Sequence, residues 1–192
     1  MVCDRWRCVV FGVSVGIMDG AGGVAGTSYE SIASASGTGS SGTITFSSIP
    51  STYKHLEIRQ ISRVSVVASD CNLRFNSDTG SNYSWHRLMG NGSAASVAAG
   101  VSNTYIELPA TSYSSLLSNV YGTSVTSILD YADTNKFKTV RSLGGFEDNS
   151  SGLVLFCSGN WRSTSAVTSI SLITGSGSWT TDTRFALYGI KG

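Results

Sequence analysis

Tyr53-Lys54-His55-Leu56-Glu57-Ile58-Arg59-Gln60-Ile61-Ser62-Arg63-Val64-Ser65-Val66-Val67 decides the fold class. Side chains alternate between the two faces of a strand, so residues two apart share a face. On that period Leu56, Ile58, Val64 and Val66 line one face. His55, Glu57, Arg59 and Arg63 line the other, which is expected to be wet or to meet a partner. The alternation recurs downstream. Ile170 and Leu172 oppose Ser169 and Ser171, and Phe185 and Leu187 oppose Arg184, Ala186 and Tyr188. No stretch keeps a helical apolar period with caps.

Working outward from that run, clusters of Gly, Ser, Asn and Pro separate short β runs from Tyr29 onward. Strands are expected at Tyr29–Ala35, Gly42–Phe46, Tyr53–Val67, Asn72–Asn76, Tyr83–Met89 and Thr104–Leu108. The series continues with Ser118–Leu129, Lys138–Phe146, Leu153–Asn160, Val167–Thr174 and Arg184–Ile190. Their spacing predicts an all-β domain, a two-sheet antiparallel sandwich of jelly-roll-like form, over residues 29–192. Cys157 lies in the apolar run Leu153-Val154-Leu155-Phe156-Cys157 and is expected to be a small buried hydrophobe. Several outward faces carry Ser and Thr, suited to bonding a partner sheet or a hydroxyl-rich ligand.

Composition narrows the function. The 192 residues fit one domain, and Ser and Thr together exceed a quarter of them. Charged residues are only 13%, with 13 basic against 12 acidic and a net charge of +1. Phosphate binders cluster Lys and Arg, and no such cluster occurs here, so nucleic-acid binding is not expected. The four cysteines, at 3, 8, 71 and 157, lack the spacing of a zinc site or a disulfide framework.

Residues 1–28 differ in composition, with Arg5 and Arg7 before the apolar stretch Cys8–Met18 and a Gly-rich linker after it. Three readings fit: translation starting at Met18, a secretory signal, or a tether to a larger assembly. Membrane insertion is not expected, because the apolar stretch is far shorter than the roughly 20 residues a spanning helix needs.

Catalytic and metal chemistry find little purchase. Asn76, Asp78 and Asn82 gather oxygen donors on one loop, but a single carboxylate is poor for calcium and the segment reads as turn chemistry. The two histidines, His55 and His86, have no nucleophile elbow beside them. Glu57, Glu107, Asp130 and Glu147 are carboxylates that no motif pairs. No enzyme activity, cofactor or metal is expected. For carbohydrate, Trp85, Trp161, Trp179, Tyr83 and Tyr131 are weighed as a stacking platform against the alternative that they fill the core. The candidate ligand-binding group is Tyr83, Trp85, His86 and Arg87, beside the Asn76–Asn82 loop.

A resemblance adds to this. Tyr29–Ala33, Gly42–Pro50, Tyr53–Arg59, Leu73–Tyr83, His86–Leu88, Ile128–Ala132, Lys138–Arg141 and Phe185–Lys191 resemble segments of small virion proteins of tailed phages, common in phages of aquatic bacteria. Positions 29 to 191 are spanned in order. The resemblance implies fold-defining roles for Phe46, Pro50, Leu56, Ile58, Phe75, Tyr131 and Tyr188, and it transfers no catalytic residue. It implies a non-enzymatic structural protein of the virion, in a tail or fibre or decorating the capsid. Other virion proteins, a homo-oligomeric (trimeric) state and a host-surface glycan are the partners it implies. A secreted carbohydrate-binding module is the alternative.

Overall fold

The computed structural model describes residues 28–67, 70–149 and 151–192, so the expectations for the N-terminal segment lie outside the described residues. The strands are β1 (Tyr29–Ser36), β2 (Thr43–Phe46), β3 (His55–Ser62), β4 (Cys71–Phe75), β5 (Tyr83–Gly90) and β6 (Ala95–Asn103). They continue with β7 (Ile106–Leu108), β8 (Gly122–Leu129), β9 (Lys138–Glu147), β10 (Gly152–Trp161), β11 (Ile170–Thr174) and β12 (Arg184–Ile190). No helix occurs among the described residues.

Two antiparallel sheets face each other, as the alternation predicts. One has eight strands in the order β1-β12-β3-β8-β9-β10-β5-β6, and the other has four in the order β2-β11-β4-β7. The chain passes between the sheets at every connection except β5–β6, β8–β9 and β9–β10. Two segments, β5–β6 and β9–β10, stay in the larger sheet and widen it beyond β8. The inward residues form one core. Leu56, Leu73, Phe75, Ile106, Ile128, Ile170, Leu172, Phe185 and Leu187 are fully buried there. Trp179 packs edge-on against Phe185 with ring centroids 5.1 Å apart. Cys71 and Cys157 are unbridged and buried, and burial pushes the Cys157 thiol up to about 12.

The opening run behaves as a strand and then a corner. Leu56, Ile58 and Val64 point inward, while Arg59 is exposed and His55 is half-buried. Glu57 and Arg63, expected on a face that is wet or meets a partner, are both buried against partners from their own chain. Glu57 accepts from the Tyr29 hydroxyl at 3.0 Å and from Arg59 Nε at 2.9 Å. Arg63 follows the end of β3, where the chain leaves the large sheet, and its side chain turns under the segment between β7 and β8. Its Nη1 donates to the carbonyls of Leu117 and Val120 at 2.9 Å each, and its Nη2 donates to that of Leu116 at 3.0 Å. Alternation alone could not anticipate this, because the partners are carbonyls more than 50 positions away.

The strand not anticipated is β6. Ala95-Ser96-Val97-Ala98-Ala99-Gly100-Val101-Ser102-Asn103 is poor in the β-branched and aromatic residues that mark strands. Tertiary pairing supplies what propensity lacks, since β6 pairs with β5 from Gly90↔Ala95 to Tyr83↔Asn103.

Removing the buried guanidinium leaves several carbonyls without donors. Arg63→Met is therefore expected to lower the unfolding free energy by about 2–4 kcal/mol, the range for charged hydrogen bonds left unmade. Urea denaturation followed by circular dichroism reads it. A loss under about 0.5 kcal/mol would show that the guanidinium does not hold the corner.

Candidate functional site

The strand that carries the sequence-derived group turns most of it inward. Tyr83, Trp85 and Arg87 share one face of β5, and His86 lies exposed on the other. Tyr83 is wholly buried and stacks on Trp161 with centroids 6.2 Å apart. Its hydroxyl accepts from Phe75 N–H at 3.1 Å, and burial pushes it up to about 12. Trp85 is buried against Gly100, where a Cβ would lie 2.5 Å from its Nε1. Arg87 bonds Glu107 on β7, joining the two sheets. Burial raises the Glu107 carboxyl, with Arg87 opposing the shift. The four residues therefore do not converge on one surface.

Trp161, Trp179 and Tyr131 are also buried, so the five aromatics weighed for sugar stacking lie in the core. Each indole or phenol needs a polar partner there. Trp161 Nε1 donates to Asp78 Oδ2 at 2.7 Å, and the Tyr131 hydroxyl donates to the Pro50 carbonyl.

The oxygen-rich loop spends its donors and acceptors internally. Asn76 and Ser77 take positive φ, at 50° and 56°. Asn76 Oδ1 accepts from the N–H groups of Thr168 at 2.8 Å and Ser169 at 3.1 Å, tying the loop to the start of β11. Asp78 accepts from Gly80 N–H at 2.8 Å and from Asn82 Nδ2 at 3.0 Å. Burial raises the Asp78 carboxyl, but the bonds from Trp161, Asn82 and Gly80 outweigh it and hold it below its usual value. These oxygens are the fastening of the β4–β5 turn, an Asx-type role.

The remaining carboxylates are likewise engaged. Asp130 lies 2.8 Å from Lys136 Nζ and 3.0 Å from Lys54 Nζ, which together hold its carboxyl at about 2. Its backbone N–H donates to His55 Nδ1 at 3.0 Å, so that nitrogen is an acceptor. Glu147 Oε1 caps the next turn by accepting from Asn149 N–H at 2.9 Å.

What the surface offers instead is apolar. On the outer face of the large sheet, Val125 of β8 is paired with Leu143 of β9, Leu143 with Phe156 of β10, Phe156 with Leu88 of β5, and Leu88 with Val97 of β6. These five are directly opposite one another, forming a straight row across five strands about 19 Å long at the usual strand spacing. They are 45%, 56%, 44%, 53% and 80% exposed in that order, far more than core side chains. Val154, two residues before Phe156, widens the row and is 59% exposed.

Beside the row lies a shallow depression of about 270 Å³ lined by Leu88, Met89, Leu143, Val154 and Phe156. A larger groove of about 650 Å³ adjoins it, sharing Gly90, Leu143 and Val154 and reaching Tyr121, Phe146 and Glu147. Glycine keeps its floor low. A Cβ at Gly144 would lie 2.3 Å from the Thr123 carbonyl oxygen, and one at Gly145 would lie 1.9 Å from that of Leu153.

The other end of the same face differs in kind. Arg59, paired with Val125, lies over the rings of Tyr188 at 5.2 Å and Tyr29 at 5.8 Å, with Glu57 beside it. That end satisfies its own charges, whereas the row from β8 to β6 is bare. Contiguous exposed apolar surface on a folded domain marks an interaction site. A signal for it was present in the sequence. Leu153–Cys157 is apolar on both faces of its strand, as expected where both faces are covered. No family model, curated protein or solved structure matches the chain.

Two measurements follow from this geometry. The folded Asp130 carboxyl is held below its unfolded value near 3.9, so its contribution is complete above that pH and is lost as pH falls through about 2. Asp130→Asn should melt below the parent at pH 6, with the gap closing between about pH 4 and 2. A gap independent of pH would refute the ion-pair account. Phe156→Thr, on the exposed row, should change unfolding free energy by less than about 0.5 kcal/mol while reducing binding of an apolar dye. A core-like loss of stability would mean that the row is packed, not presented.

Proposed function

We propose that this chain is a non-enzymatic structural module of a tailed-phage virion, a tail or fibre component or a capsid decoration. It would dock onto neighbouring virion proteins through the outer face of its eight-stranded sheet. The observation that carries this reading is the bare apolar row from Val125 to Val97 on a domain whose charged side chains largely engage each other or the backbone. Catalysis needs acid, base or nucleophile groups converging on an accessible point. Here Glu57, Glu107, Asp130 and Glu147 are each tied to a different partner. Assembly needs only a durable frame and a complementary face.

The resemblance to phage virion proteins supports the same reading, and its segments coincide with the frame. Phe46, Leu56, Ile58, Phe75 and Tyr131 are core residues, and Tyr188 holds the Arg59 guanidinium. Strand order supports jelly-roll wiring, the frame of many capsid domains. Set β5–β6 and β9–β10 aside and two four-stranded sheets remain, β1-β12-β3-β8 and β2-β11-β4-β7. Host-surface glycan contact and the alternative of a secreted carbohydrate-binding module lose their aromatic platform to the core. They retain only the glycine-floored groove with Tyr121 and Glu147.

Mass spectrometry of purified particles from the source phage tests the proposal, with peptides of this chain expected at stoichiometric level. A Leu143→Asp, Phe156→Asp double variant that folds should be missing from particles. Absence of the parent chain from particles would overturn the virion reading, and incorporation of the variant would overturn the docking face.

A further inference from the structure

A sheet edge presents a row of unpaired N–H and C=O groups, and proteins protect such edges with brevity, charge, proline or bulges. Three of the four edges here follow that rule. β2 and β7 are only 4 and 3 residues long. β1 carries Glu30, ion-paired with Lys191, and its register slips between Ser31 and Ala33. The fourth edge, β6, does so only at its far end, where the register slips beyond Gly100 and Ser102 takes a φ of 50°. It runs for 9 residues, Ala95–Asn103, with no charged residue and no proline. Its register shift falls beyond Gly100, so Ala95–Gly100 runs regularly along β5. Among the described residues β6 pairs with β5 alone, and its other edge is open. Val97 and Val101 on this strand are 80% and 76% exposed.

We propose that β6 pairs antiparallel with β6 of a second copy of this chain, about a two-fold axis at Ala99, making a homodimer with one continuous sheet. The sequence of the edge selects this occupant. Under a two-fold axis through Ala99, Val97 stands opposite Val101 of the partner subunit, and the reverse holds on the other side. Both exposed valines are then covered by the same operation. Ala95, Ala99 and the flanking serines bring no like charges together, which is what an isologous contact requires. The apolar row from Val125 also ends on this strand at Val97. The seam therefore joins the bare faces of two copies. This inference goes beyond the virion reading and stands on the edge wherever the protein resides.

Sedimentation velocity of the full chain at tens of micromolar tests it, with the parent expected as a dimer. Ala99→Lys places two ammonium groups face to face at the axis and should raise the dimer dissociation constant at least 100-fold. Ala99 is exposed, so circular dichroism and melting temperature should be unchanged. Phe156→Asp alters the sheet face but not the edge and should remain dimeric, which separates this interface from the docking face. Ala99→Cys should cross-link under mild oxidation, with peptide mapping joining two copies of the 95–103 segment, whereas Ala95→Cys should not. A monomeric parent, a trimer without two-fold pairing, an Ala99→Lys protein still dimeric, or equal cross-linking at both positions would overturn the proposal.

Discussion

The Arg63 guanidinium carries the corner where the chain leaves the eight-stranded sheet. Its main chain is clasped there by Thr183, whose Oγ1 accepts from Arg63 N–H at 3.1 Å and donates to the Arg63 carbonyl at 3.0 Å. One residue on, Val64 N–H donates to the Ser112 carbonyl at 3.0 Å. The side chain then reaches the carbonyls of Leu116, Leu117 and Val120 on the segment leading into β8. A two-sheet sandwich must carry its backbone between layers at several points, and each crossing strands polar groups that cost free energy if buried unpaired. Arg63 answers several at once, with donors arranged in a fixed fork. The core residues on either side, Ile58 and Val64, depend on that crossing being made.

Elsewhere the same need is met with hydroxyls and amides. Ser112 Oγ donates to the Val120 carbonyl at 2.8 Å, and Thr126 and Ser142 pair at 2.6 Å between β8 and β9. Gln60 accepts from Ser124 at 3.1 Å. Gln60, Ser124, Thr126 and Ser142 occupy inward positions of the large sheet, which explains how a chain with only 13% charged residues can contain so much Ser and Thr and still close a core. A buried hydroxyl pair avoids the desolvation penalty of a buried ion pair. Charge is buried as well, at Glu57, Arg63, Glu107 and Lys138; the Lys138 amine is held by carbonyls of Asp133, Lys136 and Thr164, with burial lowering its pKa.

Period-two alternation made the fold legible because strands with one buried face write their burial into the sequence. Leu56–Ile58, Ile170–Leu172 and Phe185–Leu187 point inward as read. Legibility failed in three physical situations. Arg63 and Glu57 are buried by partners distant in sequence, which alternation cannot see. β6 exists because β5 pairs with it, not because its Ala, Ser and Gly favour extension. The aromatics Tyr83, Trp85 and Trp161 stand beside polar turns, which invites a surface reading. In the folded chain those turns supply the partners of Tyr83 and Trp161, with Asp78 the bridge between turn and core, while Trp85 Nε1 is buried against Gly100. The apolar row could not be read from any single strand, since Val125, Leu143, Phe156, Leu88 and Val97 meet only once register is known.

That last point bears on what kind of protein this is. A strand with apolar residues on both faces is usually found where a second layer covers the second face. β10 is such a strand, with Leu155 and Cys157 inward and Val154 and Phe156 outward, yet among the described residues only the inward face is covered. β5–β6 and β9–β10 extend the large sheet past the four strands paired as β1-β12-β3-β8, and all of the row except Val125 lies on that extension. The inserted strands pack Tyr83, Trp85, Val140 and Trp161 into the core with one face and present Leu88, Leu143, Phe156 and Val97 to solvent with the other. An open edge at β6 and a bare face beside it are costly for an isolated domain, because both invite association. Both features support the proposed association of this chain with a neighbour.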